Sequence, residues 1–118
     1  MPHCKIEVTE NLLKTIDIRL LMKDIAIGIN DSKLFKSDDI KVRVYPVYHS
    51  FLGIEEQGHS YVTAELMILN RRTEEVNKML LHSVQTVLLK HFSEPMYKTS
   101  ITSRLTLMDP KYYERVML

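Results

Sequence analysis

His3-Cys4-Lys5-Ile6-Glu7-Val8 stands almost at the start of the chain, and its residues alternate: Cys4, Ile6 and Val8 are apolar, while His3, Lys5 and Glu7 are polar or charged. Successive side chains of a strand point to opposite faces, so a period of two predicts a strand with one buried and one wet face. The same alternation recurs downstream. Ile40, Val42 and Val44 oppose Lys41, Arg43 and Tyr45, and Val62, Ala64, Leu66 and Ile68 oppose Tyr61, Thr63 and Glu65. Ile101, Leu105 and Leu107 mark a fourth strand. Pro46 removes a ladder donor, so the second strand bends or lies at an edge beyond it.

Two helical patterns lie between these strands. Asp17 is placed as an N-cap, and behind it Ile18, Leu21, Met22, Ile25, Ala26 and Ile29 fall on one apolar helix face. Asn30, Asp31 and Ser32 end that helix with turn chemistry. Thr73, Glu74 and Glu75 open a second helix with acidic side chains where the dipole favours them. Its inner stripe reads Val76, Leu80, Ser83, Val84, Val87, Leu88 and His91, and Pro95 lies just past its end. Gly53 to Gly58 reads as a surface turn, and Pro110 with Tyr112 to Leu118 as a short C-terminal helix or tail. Strand, helix, strand occurs twice. This order predicts an α/β two-layer sandwich made of two βαβ units, a four-stranded mixed sheet with two helices on one face, in a single domain over 1–118. The sheet's other face carries Lys5, Glu7, Lys41, Arg43, Tyr61, Thr63 and Glu65, too mixed for a core; other subunits often close such a face.

Composition narrows the functional classes. A hydrophobic fraction of 45% with 26% charged residues in 118 excludes a disordered or low-complexity chain. Sixteen Lys and Arg against 15 Asp and Glu give a net charge of +1, which does not support nucleic-acid binding through overall charge. Cys4 is the only cysteine and has no internal disulfide partner. The first residues are too polar for a signal peptide, and the apolar run Val84 to Leu89 is far short of a membrane span. The expectation is a cytoplasmic protein without membrane or nucleic-acid partners.

Pro2 is the residue with the most specific chemistry. Methionine is generally removed ahead of a small residue such as proline, which would leave Pro2 with a secondary amine at the terminus. In an apolar pocket near cations the charged form of that amine is disfavoured, and it can act as a base near neutral pH. Read alone, a proline here also simply accompanies Met removal or starts an edge strand. Lys41 and Arg43 share one strand face about 7 Å apart. Such a pair suits a multi-carboxylate substrate, and it also suits solvated cations balanced by Glu7 and Glu65. Arg71-Arg72 before Glu74-Glu75 likewise reads as an anion site or as a capped helix start. His49 with His59, and His82 with His91, lack the i, i+4 spacing of a helical metal site, and no second thiolate joins Cys4, so no metal is expected. Cys4 follows the apolar face and reads as packing. No glycine-rich phosphate loop or nucleophile elbow is present.

Taken in order and spacing, several short pieces resemble the 5-carboxymethyl-2-hydroxymuconate isomerase family of the tautomerase superfamily. They are Met1-Pro2-His3 leading straight into a strand, Asp17 before the first helix, and Asp39-Ile40-Lys41-Val42-Arg43-Val44. Gly58-His59-Ser60-Tyr61, Arg71-Arg72-Thr73-Glu74 and Lys90-His91-Phe92 extend the likeness over nearly the whole chain. The resemblance implies a cofactor-free isomerase with an amino-terminal proline base, in a pocket shared between subunits of a homotrimer. The proline takes a proton from a carbon next to a carbonyl and returns it elsewhere along the conjugated system, while arginines hold carboxylates and the developing enolate. Matched position by position, the base is Pro2, and Arg72, with Arg71 its neighbour, is the arginine at the head of the second helix. The family's strand-two arginine pair is represented by Lys41 and Arg43, and lysine, a point charge, lacks the planar bidentate fork. The loop before Arg71 is also shorter than the family pattern. The implied small-molecule substrate is a carboxymethyl-hydroxymuconate from aerobic breakdown of homoprotocatechuate, itself formed from 4-hydroxyphenylacetate. Hydration or dehalogenation of a related unsaturated acid, or a non-catalytic self-associating α/β module, are the competing readings. Arg115, in the C-terminal tail, is expected to stand apart from the site.

Overall fold

A computed structural model describes all 118 residues. Strand β1 (His3–Thr9) leads into a one-turn helix α1 (Glu10–Leu13), then α2 (Ile18–Asn30) and β2 (Lys41–Val47). The second half repeats the plan with β3 (His59–Leu69), α3 (Glu74–His91) and β4 (Lys98–Met108). The strand order is β2-β1-β3-β4. β1 pairs parallel with β2, β3 pairs parallel with β4, and the two halves join antiparallel through β1 and β3. This is the expected mixed sheet of two βαβ units.

Register follows the alternation. Cys4, Ile6 and Val8 of β1 and Val62, Ala64, Leu66 and Ile68 of β3 are fully buried. They form one core with Leu21, Ile25 and Ile29 of α2 and Leu80, Val84 and Leu88 of α3. Burying each such aliphatic side chain contributes roughly 1.5–3 kcal/mol. The caps are those the sequence predicts. Asp17 accepts from the Leu20 N–H at 3.1 Å, and Thr73 Oγ1 accepts from the Val76 N–H at 3.3 Å. Pro46 sits within β2, where the outer side of an edge strand has no ladder to break. Gly53 and Gly58 adopt left-handed φ of 62° and 72° in the β2–β3 connection, conformations that L side chains resist.

Four details differ from the sequence expectation. The short helix α1 carries no periodic signal; Asn11 organises it, accepting from the Leu12 N–H at 2.9 Å and donating to the His59 carbonyl at 2.8 Å. On α3 the buried row is Asn77, Leu80, Val84 and Leu88, while Val76, Ser83, Val87 and His91 flank it half-buried. Leu107 is 43% exposed because β4 is an edge strand with no neighbour beyond it. In the tail only Pro110–Tyr112 forms a 3-10 turn, and the remainder is not helical. No helix is long and apolar enough to cross a membrane.

Candidate functional site

The start of β1 places Pro2 against the start of β2, where the Lys41 N–H donates to the Pro2 carbonyl at 3.0 Å. The Pro2 ring is fully buried. The Met1 amine before it donates to the Asp39 carbonyl at 3.4 Å. Burial holds that amine below its ordinary pKa; Lys41 and then Arg115 push in the same direction, and Asp39 opposes them. The end of the sheet at which β1 begins is thus a place where a terminal ammonium is disfavoured. A cavity of about 330 Å³ opens beside Met1, lined by Phe35, Asp39, Arg71, Arg72, Tyr113 and Arg115 among others.

The sequence-predicted cations divide into two sets. Arg71 and Arg72 reach this cavity because the turn after β3 brings the head of α3 beside the start of β1. Arg72 is held firmly: its Nη2 donates to the Leu34 carbonyl at 3.3 Å, and its guanidinium lies 4.5 Å over the Phe35 ring. Burial, with Arg71 second, lowers its pKa, yet a guanidinium stays charged at any physiological pH. Lys41 does not line the cavity; its exposed Nζ donates to the carbonyl of Asp39, which does, at 3.5 Å. Arg43 does not line the cavity. It lies on the open sheet face, its Nη1 3.1 Å from His3 Nδ1. A guanidinium can only donate, so His3 accepts through Nδ1, and its pKa is lowered, by burial first, then Lys41, then Arg43.

Arg115 corrects the expectation made for the tail. It lines the cavity and its Nη2 pairs with Asp39 Oδ1 at 2.8 Å. Nothing in the local sequence signals this, since the tail's path depends on where Asp39 and His3 sit in the folded sheet. Cys4 is fully buried and its thiol is pushed up to about 12 by that burial, so it is not a nucleophile.

A larger cavity of about 630 Å³ lies at the opposite end of the sheet, lined by Thr9, Asn11, His49, Ser50, Glu56 and His59 among others. Ser50 Oγ is 3.1 Å from His59 Nε2, but His59 Nδ1 has no partner, so no third group orients the imidazole for nucleophilic work. No group of three or more His, Cys, Asp or Glu side chains is gathered for a metal ion anywhere in the structure. The cavity beside Met1 is therefore the one that combines a specific base candidate with clustered cations.

The model of the 5-carboxymethyl-2-hydroxymuconate isomerase family matches residues 2–112. A search of curated proteins gave no match. Among solved structures, a 5-carboxymethyl-2-hydroxymuconate isomerase from Deinococcus radiodurans R1 superposes with a TM-score of 0.90 at 21% identity, covering 98% of this chain and 88% of that one. A 5-carboxymethyl-2-hydroxymuconate delta-isomerase gives 0.87 at 16% identity, covering 99% and 88%. A fused 4-OT described as a symmetric trimer gives 0.70 at 15% identity, covering 94% and 91%. At these identities the structural likeness establishes the fold alone, the tautomerase fold; the family match establishes the enzyme class. With that match spanning all but the first residue and the last six, the chain belongs to the 5-carboxymethyl-2-hydroxymuconate isomerase family and is an isomerase of the tautomerase type.

Proposed function

We propose that this isomerase moves a proton within an unsaturated keto/enol carboxylic acid, 5-carboxymethyl-2-hydroxymuconate or a close relative, with Pro2 as general base and acid once Met1 is removed. The observation that carries the reading is the burial of Pro2 directly behind Met1, which itself lines a cavity with Arg71, Arg72 and Arg115. While Met1 is attached, the Pro2 nitrogen is an amide and has no basicity. Removal of Met1 makes it a secondary amine in the same desolvating, cationic surroundings that lower the pKa of the Met1 amine. Such an amine stays partly unprotonated near neutral pH, as a general base must. It takes a proton from the carbon next to the carbonyl, leaving a dienolate. Arg71, Arg72 and Lys41 hold the carboxylates and stabilise the charge that develops on the enolate oxygen. The prolinium then returns the same proton to a different carbon of the conjugated system. No oxidant, metal or cofactor enters this sequence.

Arg43 takes part from a second copy in this reading. It lies on the uncovered sheet face, not in its own chain's cavity, and a homotrimer would bring such faces together. The symmetric-trimer description of the fused 4-OT neighbour supports that assembly. The pathway this reading implies is the aerobic breakdown of homoprotocatechuate, in the cytoplasm.

The test compares three preparations on one 2-hydroxymuconate-type substrate with chelator present: processed protein, protein retaining Met1, and Pro2→Ala. A positioned general base contributes about 10²–10⁴-fold, so the Met1-retained form should be at least about a hundredfold slower than the processed one. Pro2→Ala leaves a primary amine and should keep reduced, detectable turnover. Equal rates for processed and Met1-retained protein would refute the proline mechanism.

A further inference from the structure

The last segment of the chain reaches the Pro2 cavity from outside the family match, which ends at residue 112. Beyond the Pro110–Tyr112 turn it carries two side chains back over the start of β1. The Tyr113 hydroxyl lies 3.5 Å from His3 Nε2, with the two rings edge to face at 6.4 Å between centroids. Arg115 pairs with Asp39, whose carbonyl in turn accepts from the Met1 amine. Tyr113 and Arg115 both line the cavity, so the segment forms a strap along its wall.

The cations around that cavity are not equivalent. Arg72 uses one donor on the Leu34 carbonyl and stacks on the Phe35 ring, which fixes its remaining donors in place, and Lys41 offers a point charge without a fork. Arg115 is the lining guanidinium held by a carboxylate, and its side chain is 30% exposed against 21% for Asp39. The Asp39 carboxylate takes the Arg115 Nη2 contact that an incoming carboxylate would need. A partly exposed pair of this kind is weak enough to exchange partners. A substrate with a carboxylate to spare can displace Asp39 and gain a charge-assisted contact. A monocarboxylate, already held by Arg71 and Arg72, has nothing to offer, and Arg115 stays neutralised.

We propose that Arg115 is a specificity-determining residue: it exchanges Asp39 for a substrate carboxylate, tuning the site to polycarboxylates. The inference rests on the reading of the Pro2 cavity as the active site, and it narrows the substrate class within it. 5-Carboxymethyl-2-hydroxymuconate, by its name a muconate dicarboxylate bearing a third carboxylate, is the kind of molecule such a clasp selects.

The experiment takes processed wild type, Arg115→Gln and Arg115→Lys, and measures kcat and KM on enol acids carrying one, two and three carboxylates. In parallel, calorimetry measures binding of propane-1,2,3-tricarboxylate, which has no double bond to isomerise. For Arg115→Gln the expected result is a KM for the tricarboxylate raised about ten- to a hundredfold with kcat little changed, and an unaltered KM for the monocarboxylate. Arg115→Lys should recover part of the loss, because it keeps the charge and loses the fork. The saturated tricarboxylate should bind Arg115→Gln more weakly by a similar factor. A loss shared equally by all three substrates would overturn the proposal and leave the strap a purely structural role, as would no loss on any. Turnover by the wild type with tricarboxylate binding indifferent to Arg115 would fail the clasp alone. Arg115-dependent binding in a protein without turnover would fail the proline reading and support the clasp.

Discussion

On the proposed function, one peptide bond, Met1–Pro2, decides the chemistry of this site. In the proposed mechanism the same buried nitrogen is an inert amide with Met1 in place and a base without it, and no side-chain substitution is involved. The cations around it act by position. Arg72 is pinned by Leu34 and Phe35, so little ordering remains to be done when an anion arrives. Arg72→Ala should therefore lower kcat/KM about ten- to a hundredfold, whereas Arg19→Ala, on the exposed side of α2, should leave it unchanged. Steady-state kinetics on one substrate checks this, and equal, negligible effects would return Arg72 to a solvated helix start. Arg115 is unsuitable as the neutral control, since it lines the same cavity as Arg72.

At the scale of elements, the junction of β1, β3 and β4 carries a polar cluster on the open sheet face. Glu65 of β3 accepts from the Thr106 hydroxyl at 2.5 Å and from Arg104 Nη2 at 3.2 Å, and Lys5 Nζ lies 4.0 Å away. The Thr106 hydrogen bond is the main reason that Glu65 titrates below its usual range; burial opposes the shift, and Arg104 adds to it. A carboxylate whose folded pKa is depressed contributes stability above its unfolded pKa and loses that contribution as pH falls through the folded one. Glu65→Gln should accordingly destabilise the protein at pH 7, and the difference from wild type should shrink on acidification below the ordinary carboxylate pKa. Urea denaturation of both proteins at a series of pH values reads the effect. A difference independent of pH would mean that packing, not the charge, is what Glu65 supplies. The helices hold together differently: His91 Nε2 of α3 lies 2.7 Å from Asp24 Oδ2 of α2, a polar clamp at the rim of an otherwise apolar contact.

For the whole molecule, the sheet is the organising fact. Its helix side is a single core, and its other side exposes charged and hydroxyl side chains with no second layer. Both edge strands are also unpaired on their outer sides, and β4 runs for 11 residues. A long open edge beside an uncovered face is a surface that a protein blunts or pairs. On the proposed homotrimer, light scattering of the purified protein at micromolar concentration should give about three times the chain mass. A stable monomer would remove the shared-pocket arrangement and, with it, the role of Arg43 across the interface.

What the sequence alone determined is the part of the fold written as short-range periodicity. The alternations of β1 and β3, the stripe of α2, and the caps Asp17 and Thr73 are local patterns, and each appears where local physics puts it. With two crossover units the topology has few alternatives, so the mixed sheet was legible too. Pro2 could be singled out because no other residue offers a secondary amine. The helix α1 could not, because it rests on Asn11 reaching the His59 carbonyl, 48 residues away in the chain. The division of the cations was equally hidden. Lys41 and Arg43 look like one pair in the strand pattern, yet the first reaches the Asp39 carbonyl and the second turns to His3, and neither lines the cavity as Arg71 and Arg72 do. Arg115 carries no local signal at all; it joins the site only because folding brings Asp39 within 2.8 Å of it. Periodicity selects which face of an element is buried, whereas a site is built from side chains far apart in the chain, and only the packed tertiary structure fixes which of them meet.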